Sequence, residues 1–105
     1  MKKINLVILA GGRGSRIKSY TNLLPKPLLK FSGISLLRYI INNFTKYNIN
    51  KVYILCGYKG KLIHNEFHKK IINLVEIICI IEKKPMGTAG SLYSLKKIIK
   101  DDFVL

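Results

Sequence analysis

Three short apolar runs, Ile4 to Leu9, Lys51 to Cys56 and Val75 to Ile81, are spaced along the chain with segments of helical periodicity between them. Runs this brief, rich in Ile, Val and Leu and closed by turn residues, read as strands buried in a sheet. Ser35 stands where a helix cap is expected. Leu37, Ile40, Ile41 and Phe44 then repeat at helical spacing, predicting a helix that ends around Tyr47 and Asn48. A basic helix is expected from about Gly60 to Lys70, with His64 and His68 on a solvated face. Pro85-Met86-Gly87 turns the chain, and Thr88 can cap a helix running through Leu92, Leu95, Ile98 and Ile99. Leu28 to Phe31 is a short apolar patch closed by Ser32-Gly33, and Phe103-Val104-Leu105 opens a fourth strand. Strand alternating with helix implies an α/β fold, a parallel sheet with helices on both faces. Ligands of such sheets bind beyond the carboxyl ends of the strands. Ala10 to Arg16, Gly57-Tyr58 and Glu82 to Gly90 all lie there, on one rim.

The first of these segments is the most informative. Ala10-Gly11-Gly12-Arg13-Gly14-Ser15-Arg16 leaves the first strand, and Pro25-Lys26-Pro27 follows shortly after. Glycines without a Cβ let backbone N–H groups press against an anion. Arg16 adds a planar fork of donors and Lys26 a movable point charge, which together describe a cradle for a triphosphate. Pro25 and Pro27 stiffen the backbone on both sides of Lys26. The P-loop pattern, Gly, four residues, then Gly-Lys-Ser/Thr, does not occur. The dinucleotide pattern fails as well: Ile17 stands where its third glycine belongs, and the first acid in the chain is Glu66.

Composition bounds the alternatives. With 105 residues the chain is one domain or part of one. Its formal net charge of +14, from Lys+Arg 19 against Asp+Glu 5, favours polyanions. The lysines are scattered, however, and no basic stripe interleaved with aromatics argues for nucleic acid. Cys56 and Cys79 sit inside apolar runs and read as buried reduced thiols, which suits a cytoplasmic protein. Met1-Lys2-Lys3 and the run after it lack a small-x-small cleavage site, and no stretch is long and uncharged enough to span a bilayer. No nucleophilic Ser/His/Asp or Cys/His set is discernible, and His64 and His68 lack a third metal ligand.

Gly11-Gly12-Arg13-Gly14-Ser15-Arg16 with Pro25-Lys26-Pro27 downstream resembles the signature of the sugar-phosphate nucleotidylyltransferases, Gly-Gly-x-Gly-x-Arg and Pro-Lys-Pro. Glu82, five residues before Gly87-Thr88, matches the family's Gln or Glu ahead of Gly-Thr. The form Glu-x-x-Pro-x-Gly-Thr-Ala-Gly is similar to that of the mannose- and heptose-1-phosphate guanylyltransferases. The resemblance covers essentially the whole chain. It implies a Rossmann-like fold, with residues 1–105 forming the N-terminal, nucleotide-binding part of a nucleotidyltransferase domain.

It further implies transfer of a nucleoside monophosphate from a triphosphate to a sugar 1-phosphate, releasing pyrophosphate. By carry-over, Arg16 stabilises the leaving group and Lys26 the phosphate oxygens. Leu9, Ala10, Gly11, Gly12, Gly14 and Ser15 line the nucleotide, and Glu82, Gly87 and Thr88 border the base. Ionised Glu82 offers two acceptors, which suit the adjacent donors of guanine, so GTP is the favoured triphosphate. The family's Mg²⁺ is held by an aspartate just after the fourth strand, which falls beyond Leu105. These 105 residues alone are therefore expected not to turn over. The molybdenum-cofactor guanylyltransferases share the fold and a similar loop but lack such a Pro-Lys-Pro. One other reading stays open, a nucleotide-binding module without catalysis, regulatory or a remnant. The sugar, the base and the oligomeric state are not fixed by these residues.

Overall fold

The computed structural model describes residues 3–11, 24–57, 59–82, 87–99 and 103–104. Its strands are β1 (Ile4–Ala10), β2 (Lys30–Phe31), β3 (Ile34–Ser35), β4 (Ile49–Cys56), β5 (Ile71–Ile72), β6 (Val75–Ile81) and β7 (Phe103–Val104). The helices are α1 (Leu36–Phe44), α2 (Gly60–Phe67) and α3 (Gly87–Ile98), with a short 3-10 turn at Lys26–Leu28. A five-stranded sheet has the order β5-β6-β4-β1-β7, and β2 with β3 forms a separate hairpin. Pairing is parallel between β1 and β4, β4 and β6, and β1 and β7.

The chain thus steps outward from β1 to β4 to β6 and then returns to the other side of β1. That reversal makes the carboxyl end of β1 the switch point of the sheet, where open α/β folds leave a crevice. Alternate residues of the strands feed two cores. Leu6, Val52, Ile54 and Ile77 pack with Leu37 and Ile41 of α1 and with Ile63 and Phe67 of α2. Val7 and Leu55 face the opposite way, against Leu95 of α3 and Ile99 just beyond it. Full burial of a side chain such as Phe67 or Ile41 is worth roughly 1.5–3 kcal/mol. Helices therefore cover both faces, as the alternation implied.

Several elements depart from the sequence reading, each for a local reason. The patch from Leu28 to Phe31 divides: Leu28 closes the 3-10 turn and is buried, while Lys30–Phe31 starts a hairpin turned by Ser32 (φ 54) and Gly33 (φ 81). α1 begins as expected, with the Ser35 side chain accepting from the Arg38 N–H at 3.2 Å. It stops at Phe44 rather than at Tyr47, because the Thr45 hydroxyl turns back to donate to the Ile41 carbonyl at 2.6 Å and accepts from Asn73 Nδ2 at 2.9 Å.

β4 begins two residues ahead of Lys51, at Ile49. α2 ends at Phe67, short of Lys70, because the next residues leave the helix to line the outer edge of β6. The Lys69 N–H donates to the Ile77 carbonyl, the Ile77 N–H to the Lys70 carbonyl, and the Cys79 N–H to His68 Nδ1 at 3.0 Å. Beyond them β5 pairs antiparallel with β6, giving the otherwise parallel sheet one reversed edge strand. Thr88 lies inside the first turn of α3 rather than at its cap, since Gly87 is already helical.

Candidate functional site

Register brings the rim together. Ala10 pairs with Cys56, and Cys56 pairs with Ile81, so the last residues of β1, β4 and β6 form one row across the sheet. Gly11, Gly57 and Glu82 each come one residue later and continue that row as the strands end. The Glu82 N–H donates to the Cys56 carbonyl at 2.7 Å, extending the ladder one step past β6. Gly11 and Gly57 are in close apposition: a Cβ added to Gly57 would lie 2.8 Å from the Gly11 carbonyl oxygen and 2.9 Å from its Cα. Only a glycine at position 57 permits that approach. Gly57 is thus required by packing.

Gly11 is different. A Cβ there would have Glu82 Oε1 as its nearest neighbour, at 3.4 Å, which is ordinary contact. Its backbone is exposed at the switch point, where an approaching ligand would meet no side chain.

Glu82 is half-buried, and its carboxylate is bounded on two sides. Oε1 faces Gly11, and Oε2 accepts the hydroxyl of buried Ser91 at 2.7 Å. Ser91 lies in α3 four residues after Gly87, so it shares a face with the residue that opens the helix. The sequence reading missed it. The signal was helical spacing from Gly87, visible only once the start of α3 is known. The carboxylate also stands near the N-terminal end of that helix, where the backbone dipole favours negative charge.

The remaining candidates are distributed as follows. Ala10 is buried in the first core, and Leu9, 40% exposed, lies on the α3 side of β1 next to the rim. Lys26 is exposed on the 3-10 turn, which packs against α1. That turn is anchored by fully buried Pro25 and by Leu28, with the Leu28 N–H donating to the Pro25 carbonyl at 2.9 Å. Lys26 therefore starts from a fixed backbone. Gly87 and Thr88 form the first turn of α3. Gly12, Gly14, Ser15, Arg16 and Tyr58, together with Asp101 and Asp102, lie outside the described residues.

Of the described acids, Glu76 is the second residue of β6, at the far end of the sheet, where it pairs with Lys51 at 3.6 Å, and Glu66 lies near the end of α2. Glu82 is thus the described carboxylate at the rim. Among the described residues no group of three or more His, Cys, Asp and Glu could hold a metal ion. Cys56 and Cys79 are free and buried. The hydrogen bond of Cys56 with Cys79, and burial after it, hold the Cys56 thiol well above its usual range, so it stays protonated. Among the described residues no helix is long and apolar enough to cross a membrane.

Known proteins share the family and the fold of this chain. The family model described as nucleotidyl transferase matches residues 5–105. A D-glycero-alpha-D-manno-heptose 1-phosphate guanylyltransferase of Campylobacter jejuni is 31% identical over 96 residues, covering 91% of this chain and 43% of that protein. A bifunctional protein GlmU of Methanococcus maripaludis is 29% identical over 97% of this chain and 24% of its own length. Among solved structures, HddC from Yersinia pseudotuberculosis complexed with GMP-PN superposes with a TM-score of 0.79 at 31% identity, covering 92% of this chain and 43% of that one. The chain spans less than half the length of these relatives. With the family model matched from Asn5 to Leu105, the chain belongs to the nucleotidyl transferase family.

Proposed function

We propose that these residues form the N-terminal, nucleotide-binding part of a sugar-1-phosphate nucleotidyltransferase domain. The observation that carries the reading is the row of Gly11, Gly57 and Glu82 at the switch point of the sheet, with Gly11 open to a ligand. In the reaction, an oxygen of the sugar phosphate attacks the α-phosphorus of the triphosphate. The bond to the β-phosphate oxygen breaks, and pyrophosphate leaves with that electron pair. An ionised phosphate nucleophile needs no general base, so the protein contributes positioning and charge neutralisation.

Arg16 is assigned to the leaving group and Lys26 to the phosphate oxygens. Gly11, Gly12, Gly14 and Ser15 offer backbone donors beside Leu9 and Ala10. Glu82, Gly87 and Thr88 border the base. Ionised Glu82 suits guanine, whose ring N–H and amino group are adjacent donors, better than uracil, which presents acceptor, donor, acceptor. The similarity to guanylyltransferases supports GTP as the triphosphate.

Mg²⁺ is the cofactor expected for the complete enzyme. The described rim has one carboxylate, Glu82, which already accepts the Ser91 hydroxyl and does not by itself make a metal site. In this chain, neutralisation of the triphosphate is assigned to Arg16 and Lys26. Free buried thiols suit a cytoplasmic setting.

Charged contacts to phosphate contribute on the order of 1.5–3 kcal/mol each. Calorimetric titration with GTP should show Arg16→Ala and Lys26→Ala each weakening binding roughly tenfold or more. Unchanged affinity in both variants would refute the cradle.

A further inference from the structure

Ser91 has no part in the function proposed above, yet it makes a specific contact at the rim. It is 5% exposed, and its hydroxyl donates to Glu82 Oε2 at 2.7 Å. A serine inside a helix ordinarily turns its hydroxyl back to the carbonyl four residues earlier. Here the hydroxyl is used on another element. We propose that Ser91 is a positioning residue for base selection, holding the Glu82 carboxylate in the orientation that reads guanine. The inference rests on the reading of Glu82 as the residue that borders the base.

The geometry restrains Glu82 at both ends. Its backbone N–H is tied to the Cys56 carbonyl at 2.7 Å, and its Oε2 is tied to Ser91. Between these points a glutamate has three rotatable bonds, and a half-exposed carboxylate without the second tie would sample several rotamers. With both ties, Oε1 is set towards Gly11, at 3.4 Å from the position a Cβ would take there. Oε2 keeps a second lone pair besides the one used by Ser91. The carboxylate can then present one acceptor from each oxygen in a fixed plane, which is what two adjacent base donors require. A freely rotating carboxylate would still attract donors, but it would lose the distinction between paired and single ones.

A threonine at position 91 keeps the hydroxyl, and an alanine removes it. Neither change touches the phosphate contacts assigned to Arg16 and Lys26. Dissociation constants for GTP and UTP should therefore be measured by calorimetry on the unaltered chain, Glu82→Gln, Ser91→Ala and Ser91→Thr, with melting temperatures recorded for each.

The expected result has four parts. The unaltered chain prefers GTP, and Glu82→Gln narrows the preference. Ser91→Ala narrows it by about tenfold, the size of one charge-assisted hydrogen bond. Ser91→Thr restores it at a similar melting temperature. If Ser91→Ala weakens both nucleotides equally, or lowers only the melting temperature, while Glu82→Gln still narrows the ratio, Ser91 is structural and the inference is overturned alone. If the unaltered chain binds neither nucleotide, or Glu82→Gln leaves the ratio unchanged, the reading of Glu82 falls and the inference falls with it.

Discussion

Gly57 and Gly11 meet backbone to backbone at the carboxyl rim, so closely that a Cβ on Gly57 would come within 2.8 Å of the Gly11 carbonyl oxygen. The relationship is one-sided, because a Cβ on Gly11 has 3.4 Å of clearance to its nearest neighbour. Two glycines of the same rim thus differ: the fold demands one, and the proposed nucleotide site would demand the other. Gly57→Ala should destabilise the protein by about 1–3 kcal/mol, since neither backbone can yield without moving a strand. Gly11→Ala should change stability by less than about 0.5 kcal/mol while weakening GTP at least tenfold. Urea unfolding and calorimetry on both variants check this. Equal loss of stability in the two would contradict the assignment.

The turn between β5 and β6 offers a gain in stability. Asn73 (φ 50) and Leu74 (φ 65) both adopt left-handed backbone, the pattern of a two-residue hairpin that prefers Asn-Gly. Leu74 is 97% exposed, so its side chain gains nothing from packing to offset that conformation. Leu74→Gly should stabilise the protein by about 1 kcal/mol. A higher urea midpoint with an unchanged slope is the expected observation, and a lower midpoint would show that Leu74 packs in a way the fold does not record.

Acid sensitivity should centre on His68. Burial holds its imidazole below the usual range, and the charges of His64 and Lys69 act in the same direction against Glu76. Its ring is stacked on His64 at 4.1 Å, and its Nδ1 accepts the Cys79 N–H, which a proton on that nitrogen would prevent. The folded state therefore binds the proton less readily than the unfolded state. The stabilisation is complete above the unfolded value near 6.5 and is lost as the pH falls from there towards the lower folded value. Urea unfolding at pH 7.5 and pH 5.5 should show this loss, and His68→Gln should reduce it. An identical pH dependence in the variant would assign the effect elsewhere.

The alternation of strand and helix was legible because each parallel strand is a short apolar run with a turn residue behind it. The hairpin of β5 and β6 was not, because Asn73-Leu74 lacks the glycine that marks such a turn. Ser32-Gly33 carried that mark and was still read only as the end of a patch. The basic helix was expected to continue because His68, Lys69 and Lys70 keep a helical composition. What ends it is the pairing of Lys69 and Lys70 with the outer edge of β6, a tertiary demand absent from local sequence. At the rim, Gly11 was singled out by its glycine-rich turn and Glu82 through a resemblance, while their adjacency follows from strand register. Ser91 was marked only by its helical spacing from Gly87, which tells nothing until the start of α3 is known.

Above all, nucleoside triphosphate is proposed to bind at the carboxyl rim of the sheet. The most direct measurement is a titration of the isotopically labelled chain with GTP, following the backbone amides by NMR. The amides of Gly11, Gly57, Glu82 and Gly87 should shift together along one binding curve, with those of Ile72 and Val75 at the far edge unmoved. Shifts confined to α1 or to the β5–β6 edge, or no saturable shift at the rim, would contradict it.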